Sequence, residues 1–150
     1  MFERGPAPGF SLVELLFTLS LLAILAGLAY PPLRRGMDEL AVRSARDTLA
    51  SGLARTRAVA IARGGATLIA DVAAARFWIE AAGGDTVGVP VDLGRQYGVR
   101  VEVTGSGDGR VELSFDGRGL GRLANRTFRV LRGAAAAGLT LSTYGRPRVW

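Results

Sequence analysis

The 150-residue chain holds no Cys and no His, and its 19 basic against 13 acidic residues give a formal net charge of +6. Without Cys there is neither a disulfide framework nor a thiolate metal site, and without His the commonest general base and the commonest metal ligand are both missing. Hydrophobic content of 49% with 21% charged residues describes a folding chain, not a disordered one.

All 19 basic residues are Arg, and they are unevenly placed. From Gly117 to Trp150 there are seven Arg and no acidic residue, whereas the first 116 residues carry twelve Arg and thirteen carboxylates. The net charge therefore belongs to the last 34 residues. A one-sided basic end points to a polyanion as partner; the plainer alternative is the solvated face of a small sheet.

In chain order, Met1 to Gly9 contains Pro6 and Pro8 and is too short and polar to fold, so it reads as a leader. From Phe10 to Tyr30 there are 21 residues with Glu14 as the only charge. At ~1.5 Å per residue, a helix of that length measures about 30 Å, enough to cross the hydrocarbon core of a bilayer. A carboxylate there is costly, on the order of 2.5–3.5 kcal/mol at a helix centre, so Glu14 calls for a partner. Two processing schemes follow. An ordinary secretory signal would be cut at Gly27-Leu28-Ala29, before Tyr30, releasing a secreted soluble domain. In the other scheme cleavage follows Gly9 and the helix stays on the mature chain.

The stretch Gly9-Phe10-Ser11-Leu12-Val13-Glu14-Leu15 resembles the type IV prepilin signal, usually written G-F-T-L-I-E-L. The resemblance implies cleavage by prepilin peptidase between Gly9 and Phe10, methylation of the new N-terminus at Phe10, and an assembly role for Glu14. In such subunits the Glu is thought to pair with the α-amino group of a neighbouring subunit, which would relieve the penalty of a buried charge. It also implies a single pass through the bacterial inner membrane, with the C-terminal domain in the periplasm, and later assembly into a pilus or pseudopilus. Charge alone would orient the helix the other way, since Arg4 lies before it and Arg34 and Arg35 after it; the motif takes precedence.

Pro31-Pro32 predicts a kink or local melting. The helical pattern resumes at Met37 and runs to about Ala62, with Val42, Ala45, Leu49, Leu53 and Ala60 on one face and Gly64-Gly65 as its stop. Beyond Gly65 the period shortens towards 2. Strands are expected at Ala66–Val72, Arg76–Glu80, Val99–Val103, Arg110–Phe115, Thr127–Leu131 and Leu139–Thr143. Gly83–Gly94, with Pro90, reads as a loop or a poorly ordered edge. Gly105–Gly109 reads as a hairpin connection, with Arg100, Glu102, Arg110 and Glu112 set for cross-strand ion pairs. Gly133–Gly138 reads as a link of small residues. The fold class is therefore α+β: a long N-terminal helix packed on an antiparallel β-sheet domain. Its expected divisions are leader 1–9, transmembrane and assembly half 10–33, amphipathic half 34–63 and β-rich periplasmic domain 64–150.

The order Ser114–Gly119, Thr127–Leu131, Leu139–Thr143 and Gly145-Arg146 resembles the GspH/FimT-type minor pseudopilins of type II secretion and type IV pilus machines. The Cys pair of many major pilins is missing. The resemblance names other pilins or pseudopilins, prepilin peptidase and the inner membrane as partners. It adds DNA through Gly145-Arg146-Pro147-Arg148, which matches the G-R-x-R tail motif of DNA-binding relatives. Two Arg flanking a Pro sit on extended backbone, and guanidinium groups grip phosphate in pairs of hydrogen bonds. Arg126, Arg129 and Arg132 are candidate support, and Tyr144 and Trp150 candidate stacking platforms. The competing reading is a purely structural tip subunit without DNA binding.

No catalytic constellation is present, and an enzyme is not expected. Gly105–Gly109 and Asp116–Gly119 do not precede helices as phosphate loops do, and Asp85 and Asp92 lack calcium-ligand spacing. No metal, cofactor or small-molecule substrate is expected.

Overall fold

The computed structural model describes residues 9–105, 109–122, 125–142 and 144–150. The chain divides into two compact units, Met1–Arg34 and Arg35–Trp150.

In the first unit, every described residue is exposed. Ser11 caps the helix α1 (Leu12–Arg63): its Oγ accepts from the Glu14 N–H at 3.1 Å, as an N-cap does. The Thr18 and Ser20 hydroxyls donate to the carbonyls of Leu15 and Leu16, at 2.8 and 2.7 Å. Both side chains are thus satisfied by their own helix, as a lipid environment requires. α1 stays helical through Pro31 and Pro32, so the expected melting does not occur. Proline's fixed φ is itself helical; what the pair removes is two N–H donors.

In the second unit, α1 buries Val42, Ala45, Leu49, Leu53 and Ala60, the expected stripe, and adds Gly52 and Thr56 to it. The Thr56 hydroxyl donates to the Gly52 carbonyl at 2.8 Å, so its burial leaves no polar group unpaired. A Cβ on Gly52 would fall 2.4 Å from the Phe77 ring; the glycine is what lets helix and strand approach so closely. The helix stops at Arg63, and Gly64 takes a φ of 77°.

Among the described residues nine strands and a short helix follow: β1 (Gly65–Asp71), β2 (Arg76–Ala81), β3 (Val91–Asp92), α2 (Leu93–Tyr97), β4 (Arg100–Val103), β5 (Arg110–Asp116), β6 (Gly121–Arg122), β7 (Arg126–Arg132), β8 (Ala135–Leu141) and β9 (Pro147–Val149). These strands form two antiparallel sheets, not one. The first has the order β3-β2-β1-β5-β6 and the second β4-β7-β8-β9. Both face a shared core with α1, built on Leu49, Leu53, Leu68, Leu113, Phe128, Leu139 and Leu141.

Two expectations change. β4 and β5 are not a hairpin: β5 pairs with β1 over seven residues, from Gly65↔Asp116 to Asp71↔Arg110, while β4 pairs with β7. Their alternation correctly marks the buried residues, Val101, Val103, Val111, Leu113 and Phe115. It is silent on pairing, and β1, apolar on nearly every residue, takes the central place beside β5. Of the glycine-rich connection expected between β4 and β5, Ser106, Gly107 and Asp108 lie outside the described residues. The ion pairs move accordingly: Glu102 faces Arg129 at 3.9 Å, and Arg110 lies over the Trp78 ring, 5.1 Å from its centroid.

The Gly133–Gly138 link is mostly strand. β7 and β8 form a hairpin from Arg126↔Leu141 to Arg132↔Ala135, joined by Gly133-Ala134 with Gly133 at a φ of 56°. Only Gly133 and Ala134 make the turn; Ala135–Gly138 are strand. Gly83–Gly94, read as a loop or an edge, contains the short edge strand β3 and leads into α2. There Asp92 Oδ1 accepts from the Arg95 N–H at 2.7 Å, and Gly98 closes the helix at a φ of 65°.

Replacing Gly52 by Ala is expected to cost about 1–3 kcal/mol, because Phe77 must leave its rotamer to make room. Urea unfolding followed by tryptophan fluorescence measures it; an unchanged midpoint would contradict the close approach.

Candidate functional site

Two regions carry the candidate functional residues, and each lies within one unit. At the head of α1, Gly9, Phe10 and Glu14 are all exposed. Phe10 is 83% exposed, and none of the apolar window of the helix is buried by the chain itself. A segment this apolar needs an environment other than water. Ser11 and Glu14 stand three apart, so the cap that starts the helix also fixes Glu14 in its first turn.

At the other end of the sequence, β9 is the outermost strand of the second sheet. It is placed by the register Leu139↔Val149, Thr140↔Arg148 and Leu141↔Pro147. The chain reaches it through a bend in which the Gly145 N–H donates to the Ser142 carbonyl at 2.8 Å. Gly145 has a φ of 77°, and a Cβ there would fall 2.6 Å from the Phe115 ring. Glycine at 145 is therefore needed for the turn and for its packing. Ser142 N–H donates to the Arg146 carbonyl at 3.0 Å, which extends the ladder by one pair beyond Pro147.

Side chains alternate across a strand, so Arg146, Arg148 and Trp150 share the outer face, and Pro147 and Val149 turn the other way. The same parity puts Thr140 and Gly138 of β8, Thr127 and Arg129 of β7, and Arg100 and Glu102 of β4 on that outer face. Trp150 is locked there. Its N–H and carbonyl both bond Gly138, at 3.0 and 2.9 Å, and its Nε1 donates to Thr140 Oγ1 at 3.4 Å. A Cβ on Gly138 would meet the indole at 2.1 Å, so the ring occupies the space that a side chain would take. Arg46 of α1 donates to the Trp150 carbonyl at 3.3 Å, a contact across 104 residues that no local pattern in the sequence signals.

The five Arg singled out in the sequence separate here. Arg146 and Arg148 are exposed, and Arg129 shares their face, with Glu102 as a half-exposed neighbour. Arg126 and Arg132 lie on the opposite parity of β7. Arg132 is engaged inside the domain: its Nε meets Asp38 Oδ1 at 2.9 Å and its Nη1 donates to the Tyr97 carbonyl at 2.6 Å. The Tyr97 hydroxyl in turn bonds Thr48 Oγ1 at 2.8 Å, so α2 is fastened to both β7 and α1. Tyr144 is 70% exposed at the bend. Arg100, which the sequence reading left out of the basic cluster, belongs to the outer face by register.

The bend rests on the turn between β5 and β6. Asp116 Oδ1 accepts from the Leu120 and Arg118 N–H groups at 2.9 and 3.0 Å, and the Gly121 N–H reaches the Tyr144 carbonyl at 3.4 Å. The Leu120 N–H foremost, then the Arg118 N–H and the Arg122 and Arg118 charges, hold the Asp116 carboxyl below its ordinary value. A depressed value means that Asp116 stabilises the fold above the unfolded carboxylate range and loses that contribution as pH falls through the folded value. The melting-temperature advantage of wild type over Asp116→Asn is therefore expected to be full near neutrality and to shrink in acid. A pH-independent difference would contradict this reading.

Among the described residues no group of three or more His, Asp or Glu could hold a metal ion. The arrangement offers cations, an indole and backbone edges.

Comparison with known families matches residues 7–30 to the prokaryotic N-terminal methylation motif. No curated protein and no solved structure matches the chain. A motif of this type implies processing by prepilin peptidase and assembly with other pilins, and with the apolar helix it points to anchoring in the inner membrane. The chain is pilin-like: a prepilin-type methylation motif heads a long helix that is followed by antiparallel sheets.

Proposed function

We propose that this chain is a minor pilin or pseudopilin whose outer sheet face binds DNA without reading its sequence. In this reading prepilin peptidase cuts between Gly9 and Phe10 and methylates Phe10. The 10–33 segment anchors the subunit with the domain in the periplasm, and Glu14 pairs with a neighbour's α-amino group when the subunit enters a pilus or pseudopilus. The matched motif over residues 7–30 carries the assembly half of the proposal. Mass spectrometry of the protein isolated from membranes is expected to find a methylated N-terminus at Phe10. A chain beginning at Tyr30 would overturn it.

The observation that carries the DNA half is the register of β9, by which Arg146, Arg148 and Trp150 alternate onto the face that also presents Arg129. Guanidinium groups bond phosphate oxygens in pairs, and phosphate contacts position a polymer without specifying its bases. Trp150 adds an aromatic surface on which an unpaired base can stack. All buried core residues lie at or beyond Val42, so the chain lacking residues 1–36 retains its whole interior. Gel-shift titration of that fragment is expected to give salt-sensitive binding. Arg146→Ala/Arg148→Ala should weaken it by roughly tenfold or more and flatten the salt slope by about 2. Equal affinities for the two proteins would leave a purely structural subunit, a reading favoured by the engagement of Arg132 with Asp38.

A further inference from the structure

Among the described residues, two of the sheets' edge strands are blunted. β3 is two residues long, and Pro90 directly precedes it. On β9 the ladder alternates so that Arg148 and Trp150 turn their backbone groups towards β8, which leaves Pro147 and Val149 facing outward. Pro147 has no N–H, so this edge cannot offer a continuous row of donors.

β4 differs. The Thr104 N–H donates to the Thr127 carbonyl at 2.9 Å, so residues 100, 102 and 104 turn towards β7, and the N–H and C=O groups of Val101 and Val103 point away from the sheet. Among the described residues no backbone group pairs with them. No proline interrupts Val99–Val103. Beside the strand lies an open groove of about 520 Å³, lined on its other side by Val72–Ala75 and Gly94.

We propose that β4 is a pairing edge for β4 of a second copy of this chain, antiparallel and centred on Val101. That register sets Val101 opposite its own copy and Val99 opposite Val103, all at positions whose backbone groups face the new neighbour. Between them fall the positions where side chains approach most closely, and there Arg100 stands opposite Glu102 on both sides of the twofold axis. The edge is self-complementary, as a twofold contact requires. The charges also reject the nearest alternatives. Shifting the register one step either way sets Arg100 against Arg100, or Glu102 against Glu102. An unrelated extended segment would have no reason to match this pattern.

The full chain in detergent micelles tests the proposal by sedimentation velocity over a concentration series, with circular dichroism as the check on folding. Wild type is expected to form a reversible dimer. Arg100→Glu and Glu102→Arg should each weaken it by roughly tenfold, since each puts like charges opposite one another. An equimolar mixture of the two variants should recover the dimer, because each then supplies what the other lacks. Three outcomes overturn the proposal: a monomeric wild type, variants that associate as wild type does (association through α1 alone), and a mixture no stronger than either variant.

Discussion

Everything in the second unit depends on one helix face finding two sheets. Val42, Ala45, Leu49, Leu53 and Ala60 form one apolar stripe along the helix, and the sheets close over it from different strands of the chain. Phe128, fully buried, is the largest side chain that the second sheet contributes to this interior. Phe77 and Phe115, with Leu68 and Leu113 beside them, do the same work for the first sheet. Without the stripe, each sheet would expose an apolar face too large for a domain of this size to leave in water. The first unit follows the opposite rule, apolar around the whole helix and buried nowhere. One helix thus carries two solvent instructions in sequence, and the change comes within a few residues of Pro31 and Pro32.

The arginines show how little charge count says about role. Arg132 spends its guanidinium on Asp38 and a carbonyl of α2; Arg46 holds the carbonyl of Trp150, just past β9; Arg110 covers an indole. These are structural uses of a planar, multidentate cation. Arg146 and Arg148 remain on an open face because strand parity puts them there, and the proline between them turns away. The same proline closes the sheet's outer edge. One tetrapeptide therefore separates two surfaces: a face available to a polyanion and an edge unavailable to another strand.

Much of this was legible beforehand. The apolar run, the helical stripe and the glycine stop are local patterns, and the structure keeps them where the residues put them. The buried residues of β4 and β5 were equally readable, since alternation fixes the inward face of a strand. Partner choice was not. Whether Val99–Val103 lies beside Arg110–Phe115 or beside Arg126–Arg132 depends on which apolar strand claims the centre of a sheet, a competition among distant segments. Small residues misled in a different way: Ala135–Gly138 looks like a link until Trp150 supplies the bulk that Gly138 lacks. On the candidate site the sequence named Arg146 and Arg148, but grouped Arg126 and Arg132 with them and omitted Arg100. Proximity along the chain is a poor guide to sharing a face.

The pair formed by Asp38 and Arg132 has a mechanical meaning. Every described residue before Asp38 is exposed, and Asp38 is the first residue of α1 to be partly covered. A pull on the N-terminal half of the helix therefore enters the domain at this residue. The ion pair passes it to the turn of the β7–β8 hairpin, which the ladder from Arg126↔Leu141 to Arg132↔Ala135 holds along its full length. Load spread over such a ladder is resisted by many hydrogen bonds at once.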